Sequence, residues 1–378
     1  NDDYANALTT GSDGSIYIAG ETWGDLDGQT NSGSNDAFIS KYNPDGTKQW
    51  TKLLGSDWSD VAHASTTGSD GSIYIAGYTT GDLDGETNSG EVGEWGKKSD
   101  AFISKYNPDG TKQWTKLLGS ASYDYANALT TCSDGSIYIA GYTSGDLDGQ
   151  TNSGNDDAFI SKYNPDGTKQ WTKLLSTSNR DVAHALTTGS DGSIYIAGYT
   201  SGDLDGQTNS GWEDAFISKY NPDGTKQWTK LLGSASYDYA FALTTGSHDS
   251  IYIAGETWGD LDGQTNSGRD AFISKYNPDG TKQWTKLLST SNDDYANALT
   301  TGSDGSIYIA GETWGDLDGQ TNSGGRDAFI VKLNEEELPN PIVPIDINQP
   351  PTDINISTNS FDENIILGTT VGTLSTIN

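Results

Sequence analysis

The residues of this sequence best suited to chemistry are carboxylates that recur in one motif, Asp-x-Asp-Gly-x-Thr-Asn. Its oxygen-bearing side chains in the six copies are Asp25, Asp27 and Asn31; Asp82, Asp84 and Asn88; Asp146, Asp148 and Asn152; Asp203, Asp205 and Asn209; Asp260, Asp262 and Asn266; and Asp316, Asp318 and Asn322. Hard oxygen ligands two positions apart, followed by a glycine for a sharp bend, suit Ca²⁺. The motif lacks the bidentate glutamate that an EF-hand requires. We therefore predict calcium in these loops, and the alternative is an acidic turn whose aspartates cap backbone N–H groups.

The negative net charge of the chain also favours a cation in these loops. The sequence has 53 Asp and Glu against 21 Lys and Arg, a formal charge of −32. A cation would offset the repulsion among six acidic loops. The same charge excludes a general nucleic-acid binder and disfavours docking on anionic lipid. No apolar run approaches the length of a membrane span, and the single cysteine excludes a disulfide scaffold.

Three tryptophans form a candidate ligand-binding set. Trp23, Trp258 and Trp314 follow Glu-Thr in units one, five and six, whereas units two to four read Tyr-Thr without the tryptophan. If six units close into a ring, the three tryptophan-bearing units become neighbours. Exposed aromatic side chains beside carboxylates can recognise sugars or peptides. Recent segmental duplication would produce the same pattern without a function.

The sequence offers little for catalysis. His63 and His184 occupy a position that holds Phe241 in another unit, and Cys132 stands where other units have glycine. The chain contains neither a Gly-x-Ser-x-Gly elbow nor a His–Glu zinc motif. We predict no catalytic residue and a protein that is not an enzyme.

The elements that must position these residues come from an internal repeat. The segment Ser-Ile-Tyr-Ile-Ala-Gly recurs six times at a period of about 57 residues, and an insertion, 91–98, lengthens the second unit. Each unit reads as four short strands joined by turns such as Ser12-Asp-Gly14 and Asn43-Pro-Asp-Gly46. An aspartate precedes the first strand of every unit, which favours a structural hydrogen-bonding role. The sixth unit lacks its fourth strand.

Bulky residues on both strand faces indicate sheets that are covered on both sides. Four-stranded units with this property predict an all-β fold, a β-propeller of six blades across residues 1–334. A β-solenoid is the rival fold. Small residues such as Ala5 and Ala7 suit an innermost strand, and the repeated Trp50, Trp114, Trp171, Trp228 and Trp284 suit packing between blades.

The repeat pattern resembles a known family, the SBBP-type bacterial β-propeller repeats. The resemblance rests on Asp-x-Ala-x-Ala, Asp-Gly-Ser-Ile-Tyr-Ile-Ala-Gly, Asp-Ala-Phe-Ile-x-Lys-x-Asn-Pro-Asp-Gly and Trp-x-Lys-Leu-Leu. The acidic loop itself is similar to part of the blade loops of integrin-type propellers, with Asn in the final place. The long acidic loop departs from the SBBP pattern. In a longer parent chain, an upstream strand is expected to complete the last blade.

The composition changes after Leu338. Residues 335–350 read as a Pro-rich linker. Residues 351–378 resemble the opening strands of a cadherin-like repeat, a truncated β-sandwich. That resemblance implies that Glu363, with Asp346 and Asn348 in the linker, holds calcium between modules.

We interpret the chain as a fragment of a secreted or cell-surface bacterial protein whose calcium-supported propeller binds an extracellular protein or carbohydrate in an adhesion role. Neighbouring modules of the same parent are the other expected partners, without nucleic acid or membrane insertion. A structural spacer or surface-layer protein without a specific ligand is the alternative. A sialidase-like enzyme is a third reading, because Asn-Pro-Asp-Gly-Thr-Lys-Gln-Trp loosely resembles an Asp-box. However, Arg180 lies in a different connection from Arg269 and Arg326.

Overall fold

The computed structural model describes residues 2–93 and 96–334, and the backbone of 353–356 and 374–377. The chain divides into two compact units, Asn1–Leu338 and Pro339–Asn378. The first unit is a β-propeller of six consecutive antiparallel sheets, of which five have four strands and the last has three. The predicted all-β propeller with a shortened sixth blade is confirmed.

Every blade repeats the same order of strands. The first strands are β1 (Asp3–Thr10), β5 (Asp60–Thr67), β11 (Asp124–Thr131), β15 (Asp181–Thr188), β19 (Asp238–Thr245) and β23 (Asp294–Thr301). The second strands are β2 (Ile16–Thr22), β6 (Ile73–Thr79), β12 (Ile137–Thr143), β16 (Ile194–Thr200), β20 (Ile251–Thr257) and β24 (Ile307–Thr313). The third strands are β3 (Asp36–Tyr42), β9 (Asp100–Tyr106), β13 (Asp157–Tyr163), β17 (Asp214–Tyr220), β21 (Asp270–Tyr276) and β25 (Asp327–Leu333). The fourth strands are β4 (Lys48–Leu54), β10 (Lys112–Leu118), β14 (Lys169–Leu175), β18 (Lys226–Leu232) and β22 (Lys282–Leu288).

Two further elements depart from the repeat. The insertion in blade 2 forms a small hairpin of β7 (Val92–Gly93) and β8 (Gly96–Lys97). A 3₁₀ turn, Ser247–Asp249, replaces the usual hairpin turn in blade 5. Among the described residues, no helix is long and apolar enough to cross a membrane.

Turn chemistry explains how each blade folds on itself. In the β3–β4 turn the Gly46 N–H donates to the Asn43 carbonyl at 2.9 Å, and Gly46 has φ +82°, which glycine adopts without strain. The Asp45 carboxylate accepts the Thr47 N–H at 2.9 Å. Both hairpin turns of a blade lie at one end of its strands, the hairpin end. The β2–β3 loops and the connections between blades lie at the other, the loop end, where the Asp60 N–H donates to the Asn35 carbonyl.

The glycine at the end of Ile-Ala-Gly is required because the first and second strands of a blade approach closely there. A Cβ atom at Gly141 would lie 1.8 Å from the Tyr125 carbonyl oxygen. First and second strands meet there at a bulge between Ala126 and Ala128. Because this contact is with backbone, a side chain could be accommodated only by separating the strands.

Blades pack face to face, and the core lies between them. Tyr17, Ala19 and Ile39 on one face of blade 1 pack against Ile73 and Phe102 of blade 2. Four further clusters of the same composition join the remaining consecutive blades up to 5 and 6. At the hairpin end, Trp50 donates its indole N–H to the Pro108 carbonyl of the next blade at 3.3 Å. The outward faces of blades 1 and 6 are different, since Leu8 is 65% exposed and Ile330 is 73% exposed.

The shortened sixth blade leaves a groove of about 500 Å³ along β25, lined by Asp318 and Gln320 among others. In blade 1 the equivalent residues, Asp27 and Gln29, bind the fourth strand. The groove therefore marks the place of a fourth strand.

The second unit contains one described pair of strands. The antiparallel strands β26 (Asp353–Ile356) and β27 (Leu374–Ile377) pair residue by residue. The predicted linker, 335–350, and the rest of the predicted cadherin-like start lie outside the described residues, so both stay predictions.

Candidate functional site

The acidic loops are tight turns closed by their own side chains. Asp25 Oδ1 accepts the Asn31 N–H at 3.0 Å, and Asn31 Nδ2 donates to the Thr22 carbonyl at 2.9 Å. Asn31 Oδ1 accepts the Gly33 N–H at 3.0 Å. The other five loops repeat the contact between the first Asp and the Asn: Asp82–Asn88, Asp146–Asn152, Asp203–Asn209, Asp260–Asn266 and Asp316–Asn322. The structure thus brings two of the three predicted ligands of each motif together.

The second aspartate of the motif turns toward the fourth strand. Asp27 accepts hydrogen bonds from Lys48 Nζ and Thr51 Oγ1. Its φ is +52°, a left-handed conformation that aspartate tolerates. The Lys48 ammonium holds the pKa of the Asp27 carboxyl below its usual value. The same ion pair recurs as Asp84–Lys112, Asp148–Lys169, Asp205–Lys226 and Asp262–Lys282.

These contacts occupy oxygens that a calcium ion needs. Across residues 2–93 and 96–334, no three His, Cys, Asp or Glu side chains gather in a way that could hold a metal ion. An ion in the first loop would use Asp25, Asn31 and backbone carbonyls, and would compete with Lys48 for Asp27. Calcium in the acidic loops stays a prediction. Glu363, Asp346 and Asn348 lie outside the described residues.

A second set of carboxylates is buried where blades meet. Asp60 Oδ2 accepts the Ser56 N–H at 2.6 Å and the Ser56 hydroxyl at 2.8 Å. Burial raises the pKa of Asp60 to about 6, and the nearby Asp36 carboxylate adds to the rise. Asp124, Asp181, Asp238 and Asp294 accept equivalent bonds in the following blades. These contacts agree with a structural role for the aspartate that recurs in every unit.

The three predicted ligand-binding tryptophans have different surroundings at the loop end. Trp23, Trp258 and Trp314 are 53%, 36% and 47% exposed. The Arg326 guanidinium lies 5.7 Å from the centre of the Trp314 ring. Blades 6 and 1 are not packed in the way that other neighbouring blades are, as Leu8 and Ile330 show. The condition that would make the three tryptophan-bearing blades contiguous is therefore not met in this structure.

Trp258 belongs instead to an aromatic cluster on blades 4 and 5, which we define as Trp212, Tyr237, Tyr239, Trp258 and Arg269. Tyr237 stacks on Trp212 with ring centres 6.0 Å apart and on Tyr239 at 6.2 Å. It meets Trp258 edge to face at 5.1 Å. Arg269 lies over the Trp258 ring, 3.7 Å from its centre. Trp212 is 67% exposed, so the cluster presents a large aromatic surface to solvent.

A carboxyl group lies beneath this surface. Glu256 is only 6% exposed, and its Oε1 accepts the Trp258 indole N–H at 3.3 Å. Its Oε2 is buried without a hydrogen-bond partner among the described residues. Burial raises the pKa of Glu256, which the Arg269 charge partly opposes. An acceptor without a donor is costly in the interior of a protein, so this oxygen is a ready partner for a ligand hydroxyl group.

Arg269 is itself held in place by the neighbouring blade. Its Nη1 donates to the Tyr295 hydroxyl at 2.6 Å, and its Nε lies 3.8 Å from Asp293 Oδ2. The aromatic cluster therefore combines flat apolar faces, a fixed cation and a buried acceptor.

Sequence reasoning did not single out Trp212 and Tyr237. A signal was present, because Trp212 stands where units one and three have Ser34 and Asn155. The loop that contains this position differs in length between units, so the alignment of Trp212 with residues of the other units is not obvious. Only the packing of blade 4 on blade 5 brings Trp212 and Tyr237 to Trp258.

His63 and His184 pack against aromatic side chains. His184 lies between Tyr199 and Phe241, with ring centres 5.5 Å from each. Burial lowers the pKa of His184 to about 4, and the Arg180 charge contributes. His63 packs against Tyr78, and burial lowers its pKa as well.

The family comparison agrees with the blade architecture. The SBBP β-propeller repeat matches residues 113–148, 170–205, 227–262 and 283–318. The chain thus contains four segments that match the SBBP β-propeller repeat. A β-propeller domain of unknown function, DUF5122, also matches this SBBP propeller at 11–48 and 132–169.

Named relatives share part of the SBBP propeller. The regulatory protein FlaEY of Caulobacter vibrioides is 30% identical over 253 residues, 59% of this chain and 26% of that protein. An uncharacterized WD repeat-containing protein, L264 of Acanthamoeba polyphaga mimivirus, is 24% identical over 204 residues, 43% of this chain and 15% of that protein. The chain thus spans about a quarter or less of the length of these relatives.

Among solved structures, the α-L-arabinofuranosidase Arb93A of Fusarium graminearum aligns with a TM-score of 0.50 and 11% identity. The alignment covers 88% of this chain and 94% of that one. At this level of identity the likeness concerns the fold alone.

Proposed function

We propose that this SBBP propeller is a non-enzymatic binding module that holds a carbohydrate on the aromatic cluster of blades 4 and 5. The observation that carries the proposal is the continuous contact of the Trp212, Tyr237 and Trp258 rings, because Trp212 is absent from the equivalent place in the other blades. A surface that serves only to hold blades together would recur in every blade.

The chemistry of the aromatic cluster favours a sugar ring. The C–H faces of a sugar are apolar and pack on flat aromatic rings, whose burial supplies most of the binding energy in such contacts. The sugar hydroxyl groups need acceptors, and Glu256 Oε2 is a buried acceptor without a donor. Arg269 adds a donor at the edge of the cluster.

Charge limits the class of carbohydrate. The formal charge of −32 repels polyanionic polysaccharides and raises the local concentration of cationic ones. We therefore expect a neutral or cationic oligosaccharide as the ligand.

The state of a buried histidine and the partners of the three arginines support the proposal that the propeller is not an enzyme. His184 is neutral at pH 7 because its pKa is about 4. Arg180 pairs with Asp156, whereas Arg269 lies over Trp258 and Arg326 pairs with Glu312. The three arginines thus have separate partners in three blades, which argues against a sialidase-like triad.

An extracellular location and an adhesion role are part of the same proposal. They rest on the acidic composition and on the resemblance of the tail to a cadherin-like repeat. The name of the Caulobacter relative suggests a regulatory role for the parent protein, which is compatible with a binding module. The alternative is a structural spacer, and it predicts no saturable binding.

Tryptophan fluorescence during titration with neutral and chitosan-type oligosaccharides tests the proposal. We expect saturable binding by the full chain, and loss of binding in Trp212→Ala and Tyr237→Ala. Trp58→Ala is the matched control, because Trp58 is also exposed but lies outside the aromatic cluster. No saturable change with any oligosaccharide would favour the spacer. Equal losses in Trp58→Ala would show that binding does not depend on the aromatic cluster.

A further inference from the structure

The connection between blades 2 and 3 repeats the connection between blades 4 and 5. Residues 120–125 and 234–239 both read Ser-Ala-Ser-Tyr-Asp-Tyr, so Tyr123 and Tyr237 occupy the same position. The other three connections hold Ser59, Arg180 and Asp293 at this position. Three junctions thus pack without a tyrosine here, and blade packing alone does not require one.

Tyr123 is the open end of a second group of aromatic rings. It stacks on Tyr125 with ring centres 6.5 Å apart. Tyr125 meets Tyr78 of blade 2 edge to face at 4.7 Å and stacks on Tyr142 at 4.9 Å. The Lys98 ammonium lies 5.8 Å from the centre of the Tyr123 ring. We define these five residues as the second aromatic cluster.

The second aromatic cluster corresponds to the aromatic cluster of blades 4 and 5, with two exchanges. Lys98 and Trp212 both stand two residues before a third strand, so Lys98 takes the place of Trp212. Tyr142 takes the place of Glu256 in the second strand. Tyr123 is 46% exposed and Trp212 is 67% exposed, so each cluster presents an aromatic ring to solvent at the loop end.

Arg180, in the connection between blades 3 and 4, lies between the two clusters. Its guanidinium is 5.4 Å from the centre of the Tyr199 ring, and Tyr199 meets Tyr239 of the aromatic cluster at 4.9 Å. Burial raises the pKa of Tyr142 and of Tyr199, and the Arg180 charge opposes both rises. Arg180 donates through Nε to Asp156, and a guanidinium has further N–H donors for hydroxyl groups.

Each cation along this path has a carboxylate partner. The distances are 3.1 Å for Lys98 Nζ to Glu91 Oε2, 2.8 Å for Arg180 Nε to Asp156 Oδ2 and 3.8 Å for Arg269 Nε to Asp293 Oδ2. The charges therefore balance locally, although the chain as a whole is acidic. A neutral ligand fits such a path better than a charged one, because it leaves these pairs intact.

We propose that the ligand is a neutral, linear oligosaccharide that lies along the loop end, with a sugar ring on each aromatic cluster and its middle at Arg180. This inference rests on the proposed function, since the aromatic cluster of blades 4 and 5 is one of the two contacts. Once a chain is long enough to reach both clusters, its second contact is intramolecular. Affinity therefore increases with the length of the oligosaccharide.

Isothermal titration calorimetry of the full chain tests the length dependence with β-1,4-linked oligomers of glucose and of N-acetylglucosamine, from dimer to hexamer. We expect one hexamer to bind per chain, with an affinity at least about tenfold above that of the dimer. Tyr123→Ala should bind the hexamer no better than the dimer, whereas Tyr123→Phe keeps the ring and the gain. Trp58→Ala is the control and should bind every oligomer as the unmodified chain does.

The outcomes separate this inference from the proposed function. Binding of the dimer by Tyr123→Ala shows that this variant is folded. Equal affinities for dimer and hexamer, both lost in Trp212→Ala, would overturn the extended path and leave the proposed function intact. A gain with length that survives in Tyr123→Ala would also overturn the extended path. No saturable binding of any oligomer would overturn both proposals.

Discussion

Trp171 in the fourth strand of blade 3 donates its indole N–H to the carbonyl oxygen of Pro222 in blade 4, at a distance of 3.3 Å. The same ring lies 6.0 Å from Tyr138 in its own blade. One side chain thus joins the outer edge of a blade to the hairpin turn of the next. This contact explains why tryptophan recurs at a half-exposed place, where an ordinary strand would carry a polar residue.

We expect Trp171→Phe to destabilise the propeller by about 1 kcal/mol, because the Pro222 carbonyl loses its donor while most of the ring packing remains. Thermal melting measures the change. Trp284→Phe is the matched control, since the Trp284 indole has no such acceptor within residues 2–93 and 96–334. Equal destabilisation by the two substitutions would show that ring packing, and not the hydrogen bond, is the stabilising contact.

Stability should fall as pH rises from about 4 to 7. Burial raises the pKa of Asp60 and Asp238 to about 6 and of Asp124 to about 7, against an ordinary value of 3.8. A group whose pKa is raised in the folded state contributes stability that is complete below its unfolded pKa and is lost as pH rises through its folded pKa. Melting temperatures at pH 5 and pH 8 measure the effect, and the higher value is expected at pH 5.

Asp124→Asn identifies one source of this pH dependence. Asparagine keeps an acceptor for the Ser120 N–H but does not titrate, and it removes the repulsion from Asp100. The variant should therefore lose less stability than the unmodified chain between pH 5 and pH 8. The exposed Asp45→Asn, in a hairpin turn, is the control and should leave the slope unchanged. An identical slope in Asp124→Asn would remove this carboxyl from the explanation.

Two variants distinguish calcium binding in the acidic loops from calcium binding at Glu363 in the tail. Calcium in excess over chelator should raise the melting temperature if the acidic loops bind it, because a ligand of the native state stabilises by mass action. Glu363→Gln removes the predicted ligand in the tail, and Asp146→Asn removes one in a loop. A rise that persists in Glu363→Gln assigns calcium to the propeller. Coincident melts with calcium and chelator would leave the loops as turns held by contacts such as Asp27 with Lys48.

Arg269 should contribute to oligosaccharide binding by fixing Trp258. We expect Arg269→Gln to weaken binding about tenfold, which corresponds to a loss of about 1.4 kcal/mol. The fluorescence titration described above measures it. Arg326→Gln is the matched control, because Arg326 lies near Trp314 in blade 6 and outside the aromatic cluster. Equal weakening in both variants would point to net charge as the cause.

The repeat made the fold predictable from sequence. Short strands with bulky residues on both faces, Asn-Pro-Asp-Gly turns and a period of about 57 residues can be read from the sequence, and they determine the blades and the missing strand in the sixth. The sequence also indicated which residues serve every blade. Asp60 and its equivalents recur because every junction between blades needs the same buried hydrogen bonds.

The tertiary structure decided what local pattern leaves open. Asp25 and Asp27 are two residues apart, yet one closes its own loop and the other pairs with Lys48 on a distant strand, because the loop folds back on the fourth strand. The aromatic cluster depends on contacts between blades, which spacing along the chain does not reveal. The exposure of Ile330 is likewise a property of the assembled blades, since the isoleucine at the same position is buried in each of the other five.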